Sequence, residues 1–189
     1  MKSIAIYCGS SLGNDSKIVA DAVELGTALA EENITMIYGG SQIGIMGTVA
    51  NTVMEKGGKV IGVIPEFLKR KELVHNGLDE LYTTKTMVER KMKMIDLAEG
   101  FIALPGGFGT LEELFEVVTA LQLGQMSYPV AILNSNGFYD DLIAMMHTMM
   151  EKGLLKKKNF DLLIIETEVS KLLERMRKFV PSHEPKWIQ

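Results

Sequence analysis

The sequence predicts an α/β fold, a Rossmann-like doubly wound parallel sheet with helices on both faces, and three observations predict it. Short runs rich in Ile and Val recur along the chain and are continuous, as strands covered on both faces require, where half-exposed strands would alternate. Between them, apolar residues recur at spacings of three and four, the period of a helix with one buried side. The two kinds of segment alternate strictly, and right-handed crossovers then lay the strands parallel.

In chain order, SIAIYC at 3 to 8 is the first strand. Asn14, Asp15 and Ser16 offer N-caps for a helix whose buried side is Ile18, Val19, Ala22, Leu25 and Leu29. ITMIY at 34 to 38 follows, then a helix carrying Met46, Val49, Ala50, Val53 and Met54, which Gly57 and Gly58 close as a left-handed C-cap does. KVIGVI at 59 to 64 is the third strand, and 65 to 80 reads as irregular. A helix over Met87 to Leu97 stops at Gly100, FIALP at 101 to 105 is a strand, and Glu112 to Leu123 is the next helix. VAIL at 130 to 133, a helix from Tyr139 to Lys152, LLIIE at 162 to 166 and a helix from Val169 to Phe179 complete the pattern. The run LLKKKNF reads as a solvated turn before the last strand. The methionines of MVERKMKMIDL and IAMMHTMM, at helical spacing, read as core packing.

At 189 residues the chain has the size of one domain, here a single Rossmann-like nucleotide-binding domain over 1–180 with a C-terminal tail at 181–189. Apolar residues make up 47%, charged residues 23%, and the net charge is -4, which sets aside disordered and fibrous classes and lacks the basic face of a nucleic-acid binder. The single cysteine, Cys8, cannot form an internal disulfide and reads as a small core residue at a strand end. MKSIAIYCGSS is too short an apolar stretch for a signal peptide, and no run approaches the length of a membrane span. The expectation is a cytoplasmic protein with neither nucleic acid nor membrane as partner. His75, His147 and His183 stand apart without further ligands at metal spacing, so no metal is expected.

In a doubly wound fold, ligands bind beyond the carboxyl ends of the strands, where strand order reverses. Three glycine-bearing segments fall there: CGSS after the first strand, YGGSQIGIMG after the second and PGGFGT after FIAL. Each can aim backbone N-H groups at a ligand while the following helix offers its positive end, which makes an anion site. Neither the P-loop pattern nor GxGxxG after the first strand is present, so an ATP or NAD reading has little support.

Acids follow the third loop. Glu112 in a first turn complements the helix dipole, whereas Glu113 and Glu116 are three apart and share a face, so one of them can point back over the glycines. MVERKMKM offers Arg90 and Lys91 on another helix beginning near the same edge. A phosphate-binding loop beside a carboxylate and an arginine suits hydrolysis at the anomeric carbon of a sugar phosphate. Amides and a cation hold the phosphate, and the carboxylate steadies an oxocarbenium ion or activates water. An arginine keeps its proton and acts by charge and paired hydrogen bonds.

PGGFGTLEE at 105–113 resembles the PGGxGTxxE motif of the Lonely Guy (LOG) family, with MVERK at 87–91 in place of its M-x-E-R-K segment and YGGSQIGIMG similar to its YGGxxxGxMG loop. The similarity runs from IAIYCGSS to about residue 180. Proteins of this family have often been labelled lysine decarboxylases, but the resemblance implies a cytokinin riboside 5'-monophosphate phosphoribohydrolase. Such an enzyme cleaves N6-modified AMP, and often AMP, to free base and ribose 5-phosphate, without a cofactor. It further implies a homodimer with active sites near the interface, where some of the methionine faces would pack.

Carried over by motif, Arg90 and Glu113 are the catalytic pair, and Glu116 assists. Met87 and Lys91 help form the nucleotide site, Gly107, Gly109 and Thr110 hold the phosphate, and Gly106, with Gly39, Gly40 and Ser10 from the other two loops, also binds substrate. Ser41 departs from the third glycine that many relatives carry. Two rivals remain. A pyridoxal-phosphate decarboxylase needs a Schiff-base lysine that the chain does not offer convincingly. A non-catalytic nucleotide-binding or carrier module would use the same loops without turnover.

Overall fold

The Ile and Val runs become strands because side chains on both faces find a helix to pack against. The computed structural model describes residues 1–69 and 74–181. The strands are β1 (Ser3–Tyr7), β2 (Thr35–Tyr38), β3 (Val60–Pro65), β4 (Glu80–Thr84), β5 (Phe101–Ala103), β6 (Val130–Leu133) and β7 (Leu163–Glu166). The helices are α1 (Ser16–Glu31), α2 (Gly44–Glu55), α3 (Glu66–Lys69), α4 (Met87–Leu97), α5 (Phe108–Gln122), α6 (Asp140–Glu151), α7 (Lys157–Phe160) and α8 (Val169–Arg177).

The strands form one sheet in the order β4-β3-β2-β1-β5-β6-β7, and every pair in it is parallel. From β1 the chain winds outward to β4, then returns to lay β5 on the other side of β1. The order therefore reverses between β1 and β5, with Ala5 opposite both Ile37 and Phe101. Leu25 and Leu29 of α1, Val49 of α2 and Leu172 of α8 fill one layer of core. Met94 of α4, Leu114 and Val117 of α5 and Met146 of α6 fill the other. The methionines divide, since Met94 and Met146 are core while Met92 and Met145 are half exposed.

Three expectations need correction. ELYTT forms β4 where 65 to 80 was expected to be irregular and no strand was foreseen beyond it. As an edge strand beside β3 it takes polar residues, so the continuous apolar run is missing. The helix expected from Glu112 begins at Phe108, because Gly107 as N-cap lets the glycine loop itself form the first turn. LLKKKNF holds the short helix α7 where a turn was expected. The tail from 182 onward, with His183, and residues 70–73 lie outside the described residues.

The loops at the switch point are tied to each other. Leu104 N donates to the Tyr7 carbonyl at 2.9 Å, Gly9 N to Pro105 O at 3.0 Å, and Met46 N to Gly9 O at 3.3 Å. Gly44 opens α2 at φ +70°, and a Cβ there would overlap the backbone of Ser10. Glycine is thus required twice over, by conformation and by the approach of the first loop. Gly44→Ala should lower stability by about 2 kcal/mol or more, from left-handed backbone strain plus displacement of the Ser10 loop. A urea midpoint unchanged from wild type would remove this account.

Candidate active site

Arg90 is aimed by the start of α4. Thr86 caps that helix, its Oγ1 accepting from Glu89 N at 3.1 Å, and the Glu89 carboxylate reaches back to accept from Lys85 N at 2.9 Å. The T-M-V-E sequence is a capping-box signal that fixes where α4 begins, and hence which way residue 90 points. Arg90 is 9% exposed and lies over the ends of the strands. Its Nε donates to the Val63 carbonyl of β3 at 3.1 Å, and its Nη1 donates to Glu113 Oε1 at 2.6 Å.

Glu113, 8% exposed, comes from the second turn of α5. Burial raises its carboxyl above the ordinary value of 4.5, and the Arg90 charge and hydrogen bond only partly oppose that. Burial, with the Glu113 charge adding to it, pushes the Tyr7 hydroxyl and the Cys8 thiol well up.

The pair faces a cavity of about 310 Å³. Ser10, Gly39, Met87, Gly107, Gly109 and Thr110 line it with Arg90 and Glu113, so most of the residues predicted from motifs converge. A Cβ at Gly107 or Gly109 would meet nothing within 4 Å. Protein packing does not demand glycine there, so the room left by the missing side chains belongs to the cavity. Gly107 caps α5 without a side-chain hydrogen bond, so the first-turn amides of this 15-residue helix have no capping side chain. Gly106 serves differently: a Cβ there would overlap the Thr110 side chain, which is buried.

Four predicted residues stand apart. Gly40 and Gly106 are not in this lining, although Gly106 lines a neighbouring cavity of about 440 Å³ on the α1 side. Lys91 is not in the lining either, but it forms ion pairs with Glu112, which does line the cavity, and, at 3.2 Å, with Glu116. Both acids lie on the α5 face next to Lys91, so their attraction holds the ammonium against α5. The α4 and α5 helices are thus joined by an inner pair and an outer clasp.

Sequence reasoning overlooked other lining residues. Cys8 forms part of the floor along with Ile6 and Met46, and Phe108, 93% exposed, stands at the rim. An aromatic residue set among the glycines of PGGFGT was the available signal for Phe108. The role of the Val63 carbonyl carried no signal, because any residue type supplies one. Among the described residues no group of three or more His, Cys, Asp or Glu could hold a metal, and no helix is long and apolar enough to cross a membrane.

The pair's electrostatics have measurable consequences. Folded Glu113 holds its proton at a pH where the unfolded chain has released it. Stability therefore falls as pH rises from about 4.5 through the raised folded value, and Glu113→Gln should lack that slope. Arg90→Met strands a buried carboxylate, costing about 3–5 kcal/mol near neutral pH. It should also move the Glu113 carboxyl titration further up in ¹³C NMR, and a downward move would contradict the arrangement.

Comparison with known proteins identifies the family. The family model described as possible lysine decarboxylase matches residues 46–176. The chain is 39% identical over 183 residues to cytokinin riboside 5'-monophosphate phosphoribohydrolase LOG1 of Arabidopsis thaliana, covering 97% of this chain and 86% of that one. Identity to cytokinin riboside 5'-monophosphate phosphoribohydrolase LOG of Oryza sativa subsp. japonica is also 39%, over 97% of this chain and 76% of that one. The molybdenum cofactor binding protein of Rippkaea orientalis has the same fold, with a TM-score of 0.69 at 22% identity, over 93% of this chain and 95% of that one. The molybdenum cofactor carrier protein of Chlamydomonas reinhardtii gives 0.67 at 17%, over 93% and 96%. Those two likenesses concern the fold alone. Identity near 39% over almost the whole chain, together with the PGGFGTLEE, MVERK and YGGSQIGIMG motifs, makes this chain a member of the Lonely Guy (LOG) family.

Proposed function

We propose that the protein hydrolyses the N-glycosidic bond of nucleoside 5'-monophosphates, N6-modified AMP and AMP itself, releasing free base and ribose 5-phosphate. The observation that carries the reading is the buried Arg90–Glu113 pair facing a cavity that is also lined by the first turn of α5, Phe108 to Thr110, and its N-cap Gly107. A 5'-phosphate on those amides, within reach of the Arg90 charge, brings C1' toward Glu113. The C1'–N9 bond then breaks with its electron pair leaving on the base. The ribose ring becomes cationic beside a carboxylate that burial has left under-compensated. Glu113 Oε1 is held by Arg90, and Oε2 has no protein partner among the described residues, so it can orient the water that adds to C1'. The proton released by that water balances the one the departing purine gains.

The active form is proposed to be a homodimer. Val88 and Met92 stand one turn apart on α4, 66% and 50% exposed, and Phe108 stands at the rim of the cavity. Exposed apolar side chains on α4 and at the mouth of the site fit a second copy of the chain better than they fit water.

Purified protein incubated with AMP and N6-isopentenyl-AMP should release base and ribose 5-phosphate in equal amounts. Glu113→Ala should reduce release at least about a hundredfold. Nucleotide binding without release by wild type would favour the carrier module instead. In light scattering, wild type should be a dimer, and Val88→Glu with Met92→Glu a monomer. A wild-type monomer at micromolar concentration would exclude this assembly.

A further inference from the structure

Gly39 follows β2 directly, and its φ is not in the left-handed region, unlike Gly40 at φ +78°. The backbone at 39 therefore accepts any residue, and a turn does not explain the glycine. What surrounds it does. A Cβ at this position would lie 2.5 Å from Arg90 Nη2 and 3.6 Å from Arg90 Cζ, with Met46 Sδ at 3.0 Å on another side. The guanidinium rests against the bare Cα.

We infer that Gly39 is a positioning residue: the absence of its side chain is what lets Arg90 lie flat across the end of β2 and meet Glu113. This rests on the reading of Arg90 and Glu113 as the working pair. The family motif alone counts Gly39 among substrate-binding glycines, whereas the geometry assigns its effect to the arginine.

Three restraints define where Arg90 lies. Nε is bonded to the Val63 carbonyl, Nη1 to Glu113 Oε1, and Nη2 is in contact with Gly39. The first two hold the plane in place and the third limits how close it comes to the sheet. Nη2 has no hydrogen-bond partner among the described residues, and both Arg90 and Gly39 line the cavity. Its donors are the ones left for a bound anion. A methyl group at 39 would lift this end of the guanidinium and lengthen the bond to Glu113, since Nε and Nη1 belong to the same rigid plane. Only flexible side-chain ends oppose the methyl, so the fold tolerates it while the site does not.

The test is a double-mutant cycle on AMP hydrolysis, with melting temperature and an Arg side-chain NMR spectrum recorded in parallel. Gly39→Ala should lower kcat about a hundredfold, as a displacement near 1 Å does, with a smaller change in KM. Its melting temperature should stay within about 4 °C of wild type. In an Arg90→Lys background, which lacks Nη2, the same change should cost less than about twofold. Wild-type kcat in Gly39→Ala, or an equal loss in both backgrounds, overturns the inference. Should Gly39→Ala fail to fold, folding restored by Arg90→Lys supports the clash, and failure in both backgrounds overturns it.

The spectrum separates this inference from the proposed activity. The Arg90 Nε-H signal, protected by the Val63 carbonyl, should shift and exchange faster in Gly39→Ala whether or not wild type turns over AMP. An unmoved signal sinks the inference alone. A moved signal with no base release from wild type sinks only the phosphoribohydrolase reading.

Discussion

The site depends on a buried ion pair between residues 23 positions apart in sequence, Arg90 and Glu113, joined at 2.6 Å over the carboxyl ends of the strands. Its energetics are lopsided. Removing a carboxylate from water costs several kcal/mol, and a single arginine bond does not repay it fully, which is why the Glu113 carboxyl stays above its ordinary value despite its partner. A pair of this kind does little for stability. Its other property is that any positive charge developing near Glu113 Oε2 lowers the energy of a carboxylate already out of water. Burial and function are thus the same fact seen from two sides.

The fold holds that arrangement by economical means. The reversal of strand order between β1 and β5 opens a crevice between their ends. Backbone bonds between Gly9 and Pro105 and between Met46 and Gly9 stop the loops over it from drifting apart. The outer clasp of Lys91 with Glu112 and Glu116 lies next to the inner pair in sequence on both helices. One α4–α5 contact therefore fixes both. Glu112 is largely exposed, so the clasp contributes mainly register, as surface ion pairs do.

The sequence was legible where burial is two-sided. VAIL and SIAIYC have the length and continuity of interior strands of a parallel sheet, and both form such strands. ELYTT was not legible, because one edge of β4 is unpaired and Leu81 is its only aliphatic residue, which gives the run neither continuity nor a clear period. Within the site, Arg90 and Glu113 could be named but not joined. Periodicity left Glu113 and Glu116 equal, since both lie on one face, and the family motif alone distinguished them. The structure separates them physically: Glu113 meets the guanidinium inside, and Glu116 meets Lys91 outside. The motif placed Lys91 in the nucleotide site, but one residue along a helix is a rotation of about 100°, and Lys91 sits beside the cavity, paired with Glu112 and Glu116, while Arg90 lines it.

The glycines resolve what composition could not, because a sequence writes one letter for three physical requirements. Gly44 is glycine for its own backbone, held at positive φ under the Ser10 loop. Gly39 and Gly106 are glycine for a neighbour, the first for the Arg90 guanidinium and the second for the Thr110 side chain. Gly107 and Gly109 have no atom of the described residues within 4 Å of where a Cβ would be, and both line the cavity. The first kind holds the loops, the second makes room for a neighbouring side chain, and the third leaves open space in the cavity wall. Under the proposed reading, the 5'-phosphate would sit beside these two glycines, at the first turn of α5 and next to the arginine that Gly39 seats, all of which line the same cavity.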